Sequence, residues 1–460
     1  MNKYYLLCFA LIMSQLPVPL KAREKPVLQI TIDKAIELAL EKNGDIKVAG
    51  LEVEKSDKRI SETRSYLLPS IDINGQYVRN IQKPVIFLPP GPPFGMPGST
   101  QPTVLEIGYD NAYTGTISTS LPLFMMSVYK SLELARENLE LSKESYRESV
   151  VTTVSKVKRA FYSVLLTRAM HNFMQLSYND AKENLENVRR MHKQGLIADY
   201  DLIKAEVEVE NIQPMVMQAE DNYHLALDGL KISIGLNADQ EIEVKGELQF
   251  VDEGGNLIFK TDIQIPTMDE ALNTVLEQNT TLRKLSLQSK LTDTNIELAK
   301  AQFYPSLIGF GNFQYLTQAN DYSFQDYNWV KTSMVGVQLQ IPLFRGLSRT
   351  AKLQQAKLTH LQLNARKDVI TEAIKTKLRS ILYRLKQTKK RIEIQEKSIS
   401  QAEKGYKIAQ SRYKNGIATL LEVNDARVAQ TQARFNYAKA VYDFLIAYTD
   451  YEELIGQTKK

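Results

Sequence analysis

Chemistry needs reactive groups at workable spacings, and this sequence offers few. Its four histidines, His171, His192, His224 and His360, include no pair four residues apart that could hold a metal from one helix face. It has no Ser-containing nucleophile elbow, phosphate-cradling glycine loop or zinc motif. Asp and Glu are scattered, and nothing in their order marks a catalytic pair. The chain is therefore expected not to be an enzyme and to use no cofactor or metal. One acidic pair stands apart. Glu422 and Asp425 lie three residues apart in a helical segment, so both carboxylates can face one side. By spacing alone this is a solvated acidic face, as most such pairs are.

Composition narrows the class. Lys and Arg exceed Asp and Glu by five, and two of the cations, Lys3 and Lys21, precede Arg23. That weak bias gives no footprint for nucleic acid. Lys3, the apolar run Tyr4–Met13 and the end at Leu20-Lys21-Ala22 have the order of a signal peptide, expected over residues 1–22. The run is shorter than the roughly 20 residues of a membrane helix. The only cysteine, Cys8, lies inside it, so an exported chain would carry no disulfide, thiolate or Cys-based metal site. No later apolar run approaches membrane-helix length.

The sequence is written twice. Asp33-Lys34-Ala35 through Asn43 corresponds to Asp269-Glu270-Ala271 through Asn279. The same offset carries Leu67-Leu68-Pro69-Ser70 onto Phe303-Tyr304-Pro305-Ser306. A smaller offset carries Leu121-Pro122-Leu123-Phe124 onto Ile341-Pro342-Leu343-Phe344, and Gly195 onto Gly416. The offset shrinks because the first copy holds a Pro-rich insertion, Lys83 to Pro102. The copies are expected over 23–240 and 263–460, joined by a structured linker over 241–262.

Each copy reads helix, strand, strand, very long helix, tight turn, helix. A helical pattern runs from about Thr31 to Arg64 and ends before Pro69, which pushes its neighbour out of the α region. Strands are expected over about 70–79, 113–121, 306–316 and 332–341. Ile71, Ile73 and Tyr77 alternate with Ser70, Asp72, Asn74 and Gln76, while Val335, Val337 and Leu339 alternate with Met334, Gly336 and Gln338. Ile308 and Phe310 interrupt the polar face of the third strand. Pro69, Pro122, Pro305 and Pro342 are expected at the helix–strand junctions. Strands of this length suit either a tilted bilayer crossing or an ordinary half-buried sheet.

The long helices decide between the two. Residues 124–193 hold no proline or glycine, and residues 347–415 hold only Gly405. Each could form a rod on the order of 100 Å. The apolar stripes are narrow: Val150, Val154, Val157, Phe161 and Val164, then Ile374, Leu378, Ile381 and Leu385. A soluble single-core domain rarely needs such rods. Four strands cannot close a transmembrane barrel, whose minimum is about eight, and open edges are not left in lipid. If these strands cross a bilayer, several chains must share one barrel; three would give twelve strands, and sequence does not choose the number.

This arrangement resembles the TolC-like outer-membrane efflux proteins over nearly the whole mature chain. The duplicated order, the Pro-Ser and Pro-Leu-Phe landmarks, and the turn Arg412-Tyr413-Lys414-Asn415-Gly416 before Leu421-Glu422-Val423-Asn424-Asp425-Ala426 carry the resemblance. It implies an α+β, mostly α fold whose four strands join a shared twelve-stranded barrel above a long periplasmic helical barrel. It further implies a homotrimer in the outer membrane, docking to a periplasmic adaptor and an inner-membrane pump. The turns at about 192–200 and 413–421 would be periplasmic tips, with His192, Gly195, Arg412, Tyr413 and Gly416 facing the adaptor. Glu422 and Asp425 would ring the narrow entrance as gate and selectivity residues, with Glu where relatives carry Asp. The Arg that would tether the closed gate in some relatives is absent here, since Ala418 stands near that position. The other readings are a periplasmic adaptor or a coiled-coil scaffold. An adaptor would have one hairpin between Gly-rich β domains, and a scaffold would not need two strand pairs of bilayer length.

Overall fold

In the computed structural model the described residues run from 27 to 457, except 91, 94–97, 99, 249, 252–256 and 260–262. The expected leader lies outside them. The chain opens with β1 (Leu28–Ile30), α1 (Ile32–Lys42), α2 (Gly44–Ser65) and β2 (Ser70–Arg79). β3 (Val85–Leu88), β4 (Thr103–Glu106), β5 (Asn111–Met125), α3 (Met126–Lys193) and α4 (Asp199–Ile234) complete the first half. Short strands β6 (Ile242–Val244), β7 (Phe250–Val251) and β8 (Leu257–Ile258) follow. The second half is α5 (Met268–Gln278), α6 (Thr280–Ala301), β9 (Ser306–Ala319), β10 (Val330–Gln340), α7 (Ser348–Lys414) and α8 (Leu420–Leu454). The fold is α+β and mostly helical, with the repeated order expected. No described helix is long and apolar enough to cross a membrane.

The chain divides into two compact units. One holds residues up to Val48, Arg147–Thr280 and residues from Glu372; the other holds Ala49–Tyr146 and Thr281–Thr371.

In the first unit the expected stripes are core. Val157, Val164, Leu378 and Leu385 are fully shielded, and Val151 rather than Val150 takes the first position. The helical pattern expected from Thr31 to Arg64 is two helices, not one. Asn43 breaks it with an extended ψ of 131°. Its Oδ1 accepts from the Asp45 amide at 2.8 Å and starts α2, while its Nδ2 donates to the Ser233 carbonyl at 2.9 Å. Asn279 repeats the device in the second copy, with Nδ2 donating to the Leu454 carbonyl at 2.7 Å. The matching Glu-x-Asn triplets thus mark a break that the helical periodicity hides. Both asparagines hold the end of a returning helix, and each of those helices stops at a left-handed glycine. A Cβ on Gly235 would meet the Lys42 carbonyl at 2.8 Å, and one on Gly456 the Gln278 carbonyl at 2.5 Å. β1 was not legible as a strand; it pairs parallel with β6, Leu28 opposite Ile242.

In the second unit β10, β9, β5 and β2 form an antiparallel sheet in that order. Register sets the faces, because directly paired residues point the same way. Ser70, Asp72 and Asn74 pair with Ser120, Ser118 and Thr116; these pair across β9 with Phe310, Asn312 and Gln314, which sit opposite Gly336, Met334 and Thr332. The other face carries Ile71, Ile73, Ile117, Leu307, Phe313, Val335, Val337 and Leu339. It is bare in the chain: Ile73 is 80% and Val335 89% exposed. Phe310, which interrupted the alternation, lies over Gly336; a Cβ there would stand 2.8 Å from its ring.

Two strand bounds and one junction need correction. β5 is longer than 113–121, and Pro122 lies within it at a register shift before Phe124, not at a helix junction. A proline can sit there because the bulge removes the need for its amide. β9 also runs beyond 316, to Ala319. The insertion Lys83 to Pro102 contains β3, which pairs with β4, Val85 opposite Glu106. Pro69 and Pro305 do precede strands, and Pro342 follows β10.

Candidate functional site

The two helical turns of the first unit close by the same motif. Leu196 N–H donates to the Met191 carbonyl at 3.0 Å and Gly195 N–H to the His192 carbonyl at 2.8 Å. At the other turn Ile417 N–H donates to the Arg412 carbonyl at 2.9 Å and Gly416 N–H to the Tyr413 carbonyl at 2.9 Å. Both glycines are left-handed, at φ 74° and 73°. This is the Schellman closure, which satisfies the last carbonyls of a helix and favours Gly at the αL position. His192 and Tyr413 therefore occupy the same place in two equivalent turns, although their side chains differ.

The side chains at that place do different things. His192 Nε2 lies 2.6 Å from Asp199 Oδ1, joining the last turn of α3 to the first residue of α4. Tyr413 packs against a buried cluster of Leu185, Val188 and Ala205 of the first hairpin and Leu420 of its own. Burial, and then the charge of Asp201, raise the Tyr413 hydroxyl above the ordinary phenol value. The two turns are thus one packed assembly.

Glu422 is tied into the start of α8. Its amide donates to Thr419 Oγ1 and its carboxylate accepts from the Thr419 amide, each at 3.3 Å. This capping box answers two orphan donors and stabilises the helix start by about 1 kcal/mol. The other carboxylate oxygen lies 3.7 Å from Arg412 Nη1. Asp425 stands exposed one turn later, with no hydrogen bond or ion pair among the described residues. Both carboxylates are open to solvent. Ala198, the residue before α4, caps nothing with its side chain, so the two hairpins differ in how their second helix begins.

Further along α8 lies a charged cluster that no motif marks. Arg427 is 5% exposed. Its guanidinium donates to Ser177 Oγ of α3 at 2.6 Å and to the Glu208 carboxylate of α4. Arg434, two turns on, pairs with Glu403 of α7 at 2.9 Å. Asp180 lies beside them; burial raises its carboxyl above the usual range, against the pull of Arg427 and Arg434. Burial likewise pushes the Tyr406 hydroxyl, bonded to Asp180, up to about 12. Arg427 falls in the stripe Val423, Gln430 and Tyr437. A charge in such a stripe signals a buried partner, and that is the only trace it leaves in the sequence. Arg427 and Glu208 also border a cavity of about 690 Å³ between α4 and α8, with Met174 and Phe435 among its walls. No group of His, Cys, Asp and Glu able to hold a metal ion occurs among the described residues.

Comparison with known proteins fits this arrangement. The chain is 21% identical over 344 residues to the outer membrane protein TolC of Vibrio cholerae, covering 74% of this chain and 76% of that one. It is 22% identical over 343 residues to the alkaline protease secretion protein AprF of Pseudomonas aeruginosa, covering 74% and 68%. Its fold matches the CmeC outer membrane channel of Campylobacter jejuni with a TM-score of 0.72 at 17% identity, over 92% of this chain and 85% of that one. The family model described as "Outer membrane efflux protein" matches residues 35–236 and 271–457. With both halves matched, the chain belongs to the outer membrane efflux protein family and is a non-enzymatic channel protein of the outer membrane, serving efflux or secretion.

Proposed function

We propose that three copies of this chain form one exit duct, with a twelve-stranded barrel in the outer membrane and a helical tunnel in the periplasm. The observation that carries this is the sheet. Among the described residues each of its edge strands, β2 and β10, leaves its outer edge unpaired, and one face carries Ile71, Ile73, Val335, Val337 and Leu339 bare. Unpaired edges are not stable in hydrocarbon, where each unmet backbone group costs several kcal/mol. Four strands fall short of the smallest barrel, of about eight. Joining β2 of one copy to β10 of the next removes both edges and puts the Ser, Thr, Asn and Gln face toward water.

In this reading the turns around His192, Gly195, Arg412, Tyr413 and Gly416 meet a periplasmic adaptor, and an inner-membrane pump supplies the energy. Glu422 and Asp425, repeated by symmetry, form an acidic ring that draws cations and repels anions where the tunnel narrows. The channel itself is passive. Chemical crosslinking of isolated outer membranes should give a band at three times the subunit mass. A species that stays monomeric in those membranes overturns the shared barrel.

A further inference from the structure

A second charged site lies in the second unit, where β10 passes into α7. The chain leaves Gln340, passes Pro342, and enters α7 through Gly346 at φ 56° and Leu347 at φ 64°. Leu347 is the only left-handed residue other than glycine among those described. This bend sets Arg345 and Arg349 on either side of it. Both line a cavity of about 200 Å³, together with Ser127, Gln302, Ser306 and Gln340.

Arg349 is 8% exposed. Its Nη1 donates to the Pro342 carbonyl at 2.9 Å, and its guanidinium lies 5.8 Å from the Phe303 ring centre. Its Nη2 is shut from solvent and has no hydrogen-bond partner. Among the described residues no carboxylate lies within ion-pair distance of Arg345 or Arg349. A buried guanidinium with an unanswered donor is costly, because the charge has lost its water and gained no acceptor. The cavity that Arg349 helps to line also offers a second guanidinium, two hydroxyls and two amides. Every one of these groups can donate to an oxyanion. Planar, forked guanidinium donors match phosphoryl oxygens in particular.

We propose that this cavity is an oxoanion site that takes a phosphoryl group, held by Arg349 and Arg345. Ser306 and Gln340 belong to the polar face of the sheet, so the natural source is a phosphate-bearing solute on that side. A phospholipid headgroup offers the same chemistry from the membrane. The pair occurs once per chain: counted from Pro122, the corresponding residues of the first copy are Met125 and Tyr129.

The test uses the full-length channel purified in phosphate-free detergent, with bound phosphate read by ³¹P line broadening. Inorganic phosphate should bind saturably. Arg345→Gln, an exposed change, should weaken it about tenfold or more, since a charge-assisted bond is lost. Arg349→Lys keeps the charge but loses the fork, and should weaken binding similarly while the channel still inserts and conducts. Short-chain phosphatidylglycerol forms the second arm. If it binds, in an Arg345-dependent manner, and inorganic phosphate does not, the phosphoryl site stands and its ligand comes from the membrane. If neither binds, or if the variants bind as well as the parent, the site is refuted. Conductance of the same preparations keeps that outcome separate from failure of the channel reading.

Discussion

At the scale of single residues, Glu422 carries two jobs that can be separated. Its carboxylate closes the capping box with Thr419 and also places negative charge at the start of α8. Glutamine serves as well in the box, because the amide oxygen still accepts from the Thr419 amide. The double change Glu422→Gln with Asp425→Asn should therefore leave folding intact and lower the cation-to-anion permeability ratio severalfold in planar bilayers. An unchanged ratio would mean that these carboxylates do not face the conducting path. Leu347 shows another residue-level cost: its left-handed backbone is unfavourable by about 1–2 kcal/mol, and its neighbours Arg345 and Arg349 are the cationic pair at the junction.

At the scale of elements, long polar helices are held by a few buried contacts, since each apolar stripe is narrow. Arg427 joins α8 to α3 and α4 in one contact set. Removing only Glu208 leaves a shielded guanidinium without its counter-ion, which typically costs about 3–5 kcal/mol. Replacing both, as Arg427→Met with Glu208→Leu, should recover most of that loss. Thermal unfolding of the two single variants and the double variant measures the coupling, and additive losses would deny it. The repeat also settles how its turns relate. His192 and Tyr413 look unlike in sequence, yet identical Schellman hydrogen bonds put them at one position. Hydrogen-bond geometry depends on backbone and on Gly195 and Gly416, not on the side chain three places earlier.

At the scale of the whole molecule, the two faces of the sheet make opposite demands. Val337 is on the bare apolar face and Gln338 on the polar one, adjacent in one strand. Val337→Lys should destabilise the membrane-inserted form by about 2–4 kcal/mol if it lies at mid-bilayer depth. Gln338→Lys should be tolerated and shift ion selectivity instead. Urea titration of channels folded into bilayers, beside conductance, distinguishes the two, and equal effects would mean that the faces are not lipid and water.

The sequence by itself determined the duplication, the strand faces, the long helices and the glycine turns. Each of these is a local or periodic property: alternation of Ile73 with Asp72 and Asn74, spacing of Val157, Phe161 and Val164, or glycine where a helix reverses. It did not determine the break at Asn43, because the helical pattern runs through it and the side chain's partner, Ser233, is remote in the chain. β1 was hidden for the same reason, as its ladder partner β6 is remote in the chain. Pro122 read as a boundary because proline usually ends a ladder, yet a bulge accommodated it. Arg427 with Glu208, and Arg349 with its unmet donor, were decided by tertiary structure alone. Burial and partnership arise only when distant segments meet, so no spacing along the chain can announce them.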